Sequence, residues 1–310
     1  MASLTRDRML SPAGSGDAVS IAAPLLALAL GAVAMGVSPI FVRIAAPEVG
    51  PFASAFWRVA LALPCLYGWM RLEEGRGRRV AVSGRATPAI LAGLAFSGDL
   101  VFWHLAILGT SVANATFFAT TAPVFVVLLT WLVLRRRVAP ATLGALALCM
   151  LGGAILIGQS LAISPDRIRG DLYGIVTAVF FALYFLFVSR ARESGGAGRV
   201  VFISSLVTAA VLLVVALLFD GARIWPRTGG VWAALLALAL VSHVGGQGLL
   251  AVALGRLPAV FSSLVIFLEA LAAALAAWAI LGEAITPLQG AGGALILLGI
   301  WMARPRKAVP

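Results

Sequence analysis

Six polar side chains stand inside apolar stretches of the sequence: Arg58, Asp99, His104, His243, Gln247 and Glu269. At the centre of a lipid bilayer an ionisable group costs about 2.5–3.5 kcal/mol on insertion scales, so each of these needs a partner or a task. Asp99 and Glu269 are the sharpest candidates. A carboxyl in apolar surroundings can change between its neutral and charged forms as substrate or protons pass, or it can hold an ammonium group. The alternative is a carboxyl paired with an internal arginine that fixes helix packing, and Arg58 is the available partner. His243 and Gln247 are four residues apart, which places them on one helix face. They line a polar pocket or sit satisfied in a close-packed face with Gly245, Gly246 and Gly248, which would let the backbone loosen and expose carbonyls. His104 reads as a residue near the outer end of its helix.

The elements that must position these groups are membrane helices. The chain of 310 residues is 62% hydrophobic with a mean hydropathy of +1.05, and only 11% of it is charged. A water-soluble fold could not hide that much apolar surface. A span needs about 20 apolar residues, and ten such runs follow one another: 21–44, 51–70, 87–108, 112–134, 139–158, 171–190, 199–219, 229–250, 259–281 and 287–303. Breakers such as Pro51, Pro140, Pro258 and Pro287 separate them. Cys65 and Cys149 both fall in apolar runs and read as small buried hydrophobes, with no disulfide or metal site in prospect. Nothing in the pattern asks for a cofactor.

A net charge of +11 invites a nucleic-acid reading, which the distribution excludes. With the N-terminus in the cytoplasm, 17 of the 23 Lys and Arg residues fall in inside segments. Five fall outside (Arg43, Arg167, Arg169, Arg223 and Arg227), and Arg58 lies within a span. That bias sets both termini on the cytoplasmic side of a bacterial-type inner membrane.

The runs also repeat. At an offset of 147 residues Arg43 falls on Arg190, Gly98 on Gly245, Pro140 on Pro287 and Gly152 on Gly299. Each copy holds five spans, an odd number, so the copies must enter the bilayer from opposite sides. The expectation is an all-α integral membrane protein of ten transmembrane helices in two inverted-topology repeats. A tail occupies 1–20, the first repeat 21–158, the second 171–303 and a short tail 304–310. The copies share punctuation but not polar chemistry: Asp99 aligns with Gly246, Glu269 with Ala122 and His243 with Phe96.

Other candidates cluster on the same spans. The fourth carries Asn114, Thr116, Thr120 and Thr121 before Pro123, which should kink the helix. Trp103 and Tyr184 join Phe102, Phe117, Phe118 and Phe181 as deep aromatics able to wall an apolar site. Enzymatic arrangements are missing from the sequence. There is no His-Glu-x-x-His spacing, a second intramembrane aspartate to share a proton with Asp99 is lacking, and no Walker A motif is present. Ser242 and His243 are neighbours and so face different ways, which does not make a dyad.

The stretch from Gly98 to Gly158 combines a short connection, a Pro-containing helix, a charged turn and a Gly-rich helix. It recurs from Gly245 to Ile300 with Leu281-Gly282-Glu283 at the turn. It resembles the EamA repeat of the drug/metabolite transporter superfamily over about 21–303, and Arg58 sits where that family often has an arginine. The resemblance is nearest to the YddG-type exporters of amino acids. It implies a monomeric secondary transporter that exports small metabolites by alternating access, amino acids first, including aromatic and apolar ones. Drugs or other metabolites come second, and lipid-carrier or nucleotide-sugar transport is the runner-up within the superfamily. The substrate site would lie near the midplane between the repeats. It would be lined by Asp99, Glu269, His243, Gln247, Asn114, Trp103, His104 and Tyr184, with Arg58 and Pro123 in structural roles.

Overall fold

Prolines and capping side chains decide where the helices start. Pro39, Pro51, Pro88, Pro123, Pro140 and Pro287 each occupy the first turn of a helix, where a missing N–H costs nothing. Ser111 and Thr228 accept a hydrogen bond from the backbone N–H three residues on. Thr286 and Gln289 form a reciprocal capping box. In the computed structural model, which describes residues 21–75, 86–158, 165–281 and 286–305, these signals produce fifteen α-helices and no strand among the described residues.

The first half contains α1 (Ala22–Gly36), α2 (Ser38–Val49), α3 (Pro51–Ala60), α4 (Leu63–Gly75), α5 (Thr87–Gly109), α6 (Val112–Thr120), α7 (Ala122–Leu132) and α8 (Pro140–Ile157). The second half contains α9 (Ile168–Arg192), α10 (Ala197–Phe219), α11 (Gly229–Ala237), a π-helical segment (Leu238–Gln247), α12 (Gly248–Leu254), α13 (Ala259–Leu264), α14 (Phe267–Leu281) and α15 (Pro287–Ala303). Among the described residues seven helical stretches are long and apolar enough to cross a membrane: 22–49, 87–109, 114–132, 140–157, 168–192, 197–219 and 229–254. Ala259–Leu275 and Pro287–Ala303 are shorter apolar helices. The second expected span falls on α3 and α4, which carry Arg58 and a charged end at Arg71–Glu74. The expected tail 1–20, Arg76, Arg78, Arg79, Arg85, the Gly282-Glu283 turn and residues 306–310 lie outside the described residues.

Several spans are broken midway. Between α6 and α7 the N–H of Thr121 bonds the carbonyl of Phe118 at 3.1 Å, a three-residue reach in place of the usual four. The same tightening joins Ile40 to Val37, Ala62 to Val59 and Ile266 to Ser263. Pro123 accounts for one break, as expected. The α13–α14 break arises with Ala270 at the aligned position and no proline beside it.

α8 and α15 pack closely and antiparallel. A Cβ built on Gly152 of α8 would stand 2.6 Å from the carbonyl oxygen of Gly292 on α15, and one on Gly299 would stand 2.8 Å from that of Ala145. Numbers rise along one helix as they fall along the other, and the two contacts are related by the 147-residue offset. Backbones approach this closely only where a glycine hydrogen replaces a side chain.

A second related pair clamps α10 against α3 and α4. Glu73, at the end of α4, accepts the first-turn N–H groups of α10 from Ala197 (3.1 Å) and Gly198 (2.8 Å). Asp220, just past the other end of α10, accepts the N–H of Ala53 in the first turn of α3 at 2.6 Å. Glu73 and Asp220 are themselves 147 residues apart. Each carboxylate therefore caps the helix of the opposite half, where the partial positive charge of the helix end is concentrated. Gly50, with φ +83°, makes room for the Asp220 carboxyl.

Large apolar residues such as Leu217, Leu218 and Phe219 are exposed along the outside, as a lipid-facing surface requires. Cys149 is buried as expected, whereas Cys65 faces outward from α4 and is exposed. An apolar run does not say which of its faces meets lipid.

Candidate functional site

The ionisable residues of separate helices converge. Arg58 comes from the last turn of α3 and is 4% exposed; Asp99 comes from the middle of α5 and is 6% exposed. Glu269 sits in the first turn of α14, immediately after the α13–α14 break. The Arg58 guanidinium interacts electrostatically with Asp99, Glu269 and Tyr184, and its charge also reaches His104 and His243. It thus forms the hub of a charged cluster with contributions from α3, α5, α9, α14 and the π-helical segment.

The hub is not an ion pair. Among the described residues Arg58 has no carboxylate within 4.0 Å, contrary to the expected direct pairing. Its guanidinium carbon lies 5.8 Å from the centre of the Trp103 ring and 6.0 Å from that of Phe96. Aromatic faces attract a cation at this range without neutralising it. Phe96 in turn packs on Tyr184 at 4.7 Å and on His243 at 5.5 Å, and Tyr184 stacks on Phe181 at 6.1 Å. Tyr184 and Phe181 are thereby packed in the core instead of walling a cavity.

His104 is fully buried, near the end of α5. Its Nδ1 lies 2.7 Å from the carbonyl oxygen of Leu100, which can only accept, so Nδ1 carries a proton and donates it to that bond. His243 Nε2 is 2.8 Å from the Ser205 hydroxyl. Gln247 is buried beside α1, its Nε2 3.2 Å from the sulfur of Met35. The glycine-rich stretch around these two residues does not unwind to expose carbonyls. It widens into a π-helix, a form found often at functional sites, and keeps His243 and Gln247 turned inward.

Beside the cluster lies a small cavity of about 20 Å³, room for about one water, lined by Met35, Gly36, Pro39, Trp103, Thr116, Ala119 and Glu269. It opens where the α1–α2 break, the middle of α5, α6 and the start of α14 meet. Gly36 allows this convergence, because a Cβ there would come within 2.7 Å of the Glu269 carbonyl oxygen. Six buried polar atoms around the cavity and cluster meet no protein hydrogen-bond partner: Arg58 Nε, His104 Nε2, Thr116 Oγ1, His243 Nδ1, Gln247 Oε1 and Glu269 Oε1. An unpartnered buried polar atom costs about 1–3 kcal/mol, so a folded core carries few of them. Six in one region mark a place built for something other than packing.

Asn114 is not drawn into this cluster. Its amide donates to Asp171 at 3.0 Å, and the Thr110 hydroxyl donates to the same carboxylate oxygen at 2.8 Å. Those bonds tie the α5–α6 connection to the start of α9, a structural knot. Pro123 is buried at the start of α7. Met35, Gly36 and Pro39 were not among the residues expected at the site, and the only hint of them was the Gly36-Val37-Ser38-Pro39 interruption in an apolar run. Thr116 was visible as a hydroxyl on the fourth span. Among the described residues no group of three or more His, Cys, Asp or Glu is placed to hold a metal ion.

Known proteins share this architecture and sequence. Residues 22–158 and again 168–304 match the EamA-like transporter family. A protein of Archaeoglobus fulgidus named "Uncharacterized transporter" is 29% identical over 283 residues, covering 89% of this chain and 94% of its own. A second protein of that organism with the same name is 30% identical over 170 residues, 53% of this chain and 57% of its own. A solved crystal structure superposes with a TM-score of 0.75 over 91% of this chain and 98% of its own, at 19% identity, which shows a shared fold. This chain belongs to the EamA-like transporter family, and it is a multi-pass membrane transporter.

Proposed function

We propose that the chain exports small zwitterionic metabolites, amino acids first and aromatic or apolar ones among them, as a YddG-type carrier. The observation that carries this reading is the charged cluster of Arg58, Asp99 and Glu269 beside a small cavity, with six unpartnered polar atoms around the two. One guanidinium and two carboxyls offer a counter-charge to each end of an amino acid. Met35, Trp103 and Ala119 offer an apolar wall for its side chain. A single intramembrane arginine is a poor match for phosphorylated or nucleotide-sugar substrates, which favour several cations.

Ten spans in two inverted repeats, 21–158 and 171–303, fit the antiparallel contacts that recur at the 147-residue offset and the two matched stretches of the family. In this reading access alternates around the site as the broken helices rock, with both termini in the cytoplasm of an inner membrane and one chain as the working unit. No chemical conversion is assigned to the site, so the substrate leaves unchanged. A direct test is export in living bacteria. Cells expressing the protein should tolerate a toxic aromatic amino-acid analogue and accumulate less of it, and the Glu269→Gln variant should not. Equal sensitivity with and without the protein, for aromatic and aliphatic analogues alike, would remove the amino-acid reading.

A further inference from the structure

One corner of the molecule carries charge that the protein does not answer. Just past α7 comes the run Arg135-Arg136-Arg137, all three exposed. α8 starts at Pro140 and packs on α15, with Gly299 against Ala145. Arg304 lies five residues past Gly299 and Pro140 five residues before Ala145, so the two stand at one level. Four arginines therefore gather around the start of α8. Among the described residues none of them has a carboxylate within 4.0 Å. α6 and α9 start together at the Asn114–Asp171 bond and run side by side, with Gly174 against Phe118, so the ends of α7 and α9 share one side of the molecule. The described carboxylates around the ends of α4 and α9 are engaged elsewhere: Glu73 caps α10, Glu74 faces Arg71 and Glu193 pairs with Arg190.

The fold does not ask for these charges. At the 147-residue offset the run Arg135-Arg136-Arg137 falls on Gly282-Glu283-Ala284, and Arg304 falls on Ile157. Trp131 and Trp278 do align, and both are exposed, so the aromatic marker is shared and the charge is not. Arg135 is moreover held at φ +50°, a conformation that glycine adopts freely and a side chain resists. The aligned residue is a glycine. A charged side chain kept under strain at such a position is there for its charge and not for the turn.

The apolar frame around the arginines indicates the kind of partner. Trp131 stands one turn before Arg135 and Trp301 one turn before Arg304, both exposed, as aromatic side chains at the headgroup level of a bilayer are. The Arg304 guanidinium carbon lies 4.8 Å from the centre of the Trp301 ring, which holds the charge at that level. Leu132, Val133, Leu297 and Leu298 are exposed beside them. A complementary partner is anionic at its head and apolar below it.

We propose that the turn between α7 and α8, together with the end of α15, binds the phosphate headgroup of an anionic phospholipid, whose acyl chains lie against the exposed leucines. Arginine is suited to phosphate because its planar fork donates two parallel hydrogen bonds. The site lies outside the Arg58 cluster and does not depend on the substrate assigned to it.

Purified protein in neutral-detergent micelles tests this by titration with dioleoyl phosphatidylglycerol, dioleoyl phosphatidylcholine or inorganic phosphate. Thermal unfolding and native mass spectrometry report binding. Phosphatidylglycerol should bind and raise the melting midpoint, and the other two should not. An arginine near an anionic lipid is worth about fivefold in affinity, so Arg304→Gln should weaken phosphatidylglycerol about fivefold and Arg136→Gln with Arg137→Gln about 25-fold. Arg135→Gly should also lose about fivefold, yet melt higher than the wild type in phosphatidylcholine, because the strain leaves with the side chain. Arg167→Gln with Arg169→Gln removes equal charge at the start of α9, the other side of the molecule, and should change affinity less than about twofold. Equal loss in that control would mean a diffuse charge effect and would overturn the proposal. Equal stabilisation by phosphatidylcholine or by phosphate alone would overturn it too, as would unchanged affinity in Arg136→Gln with Arg137→Gln.

Discussion

The reciprocal carboxylate clamps make a sharp quantitative prediction. Glu73→Ala removes the acceptor of two N–H groups at the start of α10, and Asp220→Ala removes the acceptor of the Ala53 N–H at the start of α3. Losing a helix-capping side chain costs about 0.5–2 kcal/mol, and a carboxylate facing the positive helix end adds about 0.3–1 kcal/mol. Each single variant should therefore lower the unfolding free energy by about 1–2 kcal/mol. The two sites lie at opposite ends of α10, a helix of 23 residues, and so about 35 Å apart. They share no partner, so the double variant should match the sum of the singles within about 0.5 kcal/mol. Equilibrium unfolding of purified protein in mixed micelles, followed by circular dichroism, measures all four corners of the cycle. A single variant within about 0.3 kcal/mol of the wild type would refute the view that these carboxylates hold the halves together. So would strong non-additivity, which would mean the two ends communicate.

Other expectations follow from the same contacts. Burial holds the Asp220 carboxyl above the usual aspartate value, against the Ala53 and Phe52 N–H groups that favour its charged form. The native state then binds that proton more tightly than the unfolded chain does. This contribution is full below the unfolded value of about 3.9 and is lost as pH rises through the higher native value. Unfolding curves from pH 3.5 upward should show wild type losing stability relative to Asp220→Asn, and the opposite slope would refute the burial argument. Gly152→Leu cannot fit against Gly292 and should cost about 3 kcal/mol or more, while Gly144→Leu, with open space beside it, should stay within about 0.5 kcal/mol by the same unfolding assay. Ser205→Ala strips His243 of its one hydrogen-bond partner and should cost about 1–3 kcal/mol, visible as a lowered melting midpoint. A lipid-soluble maleimide should label Cys65 in folded protein and reach Cys149 only after unfolding, as mass spectrometry would show.

Helix positions were legible in the sequence because apolar run length and proline carry them. α5, α8, α10 and α15 begin and end within a residue or two of the runs read from the sequence. The breaks at Val37, Leu61–Ala62 and Val265–Ile266 were not, since a change from four-residue to three-residue hydrogen bonding leaves the residue pattern almost unaltered. The π-helical segment was hidden for a similar reason. One extra residue per turn near Gly245–Gly246 shifts the register without changing composition. At the site, ionisable residues announced themselves because an apolar run makes any charge conspicuous, and Arg58, Asp99 and Glu269 do converge. Their separation did not show, because direct pairing and aromatic contact use the same residue types. Asn114 stood out equally and belongs elsewhere, drawn to Asp171 at 57 positions' remove. The cavity's other wall of Met35, Gly36 and Pro39 was marked only by the interruption from Gly36 to Pro39, because an apolar residue that lines a space looks the same in sequence as one that fills it.

Counterflow in proteoliposomes tests the account's central claim most directly. Vesicles loaded with unlabelled phenylalanine and diluted into a trace of labelled phenylalanine should accumulate the label transiently, by way of the Arg58–Asp99–Glu269 cluster. Empty vesicles should not accumulate it, nor should vesicles carrying Glu269→Gln, and the recovered label should be chemically unchanged. Absence of counterflow for every amino acid tried, or undiminished counterflow in both Glu269→Gln and Asp99→Asn, would contradict it.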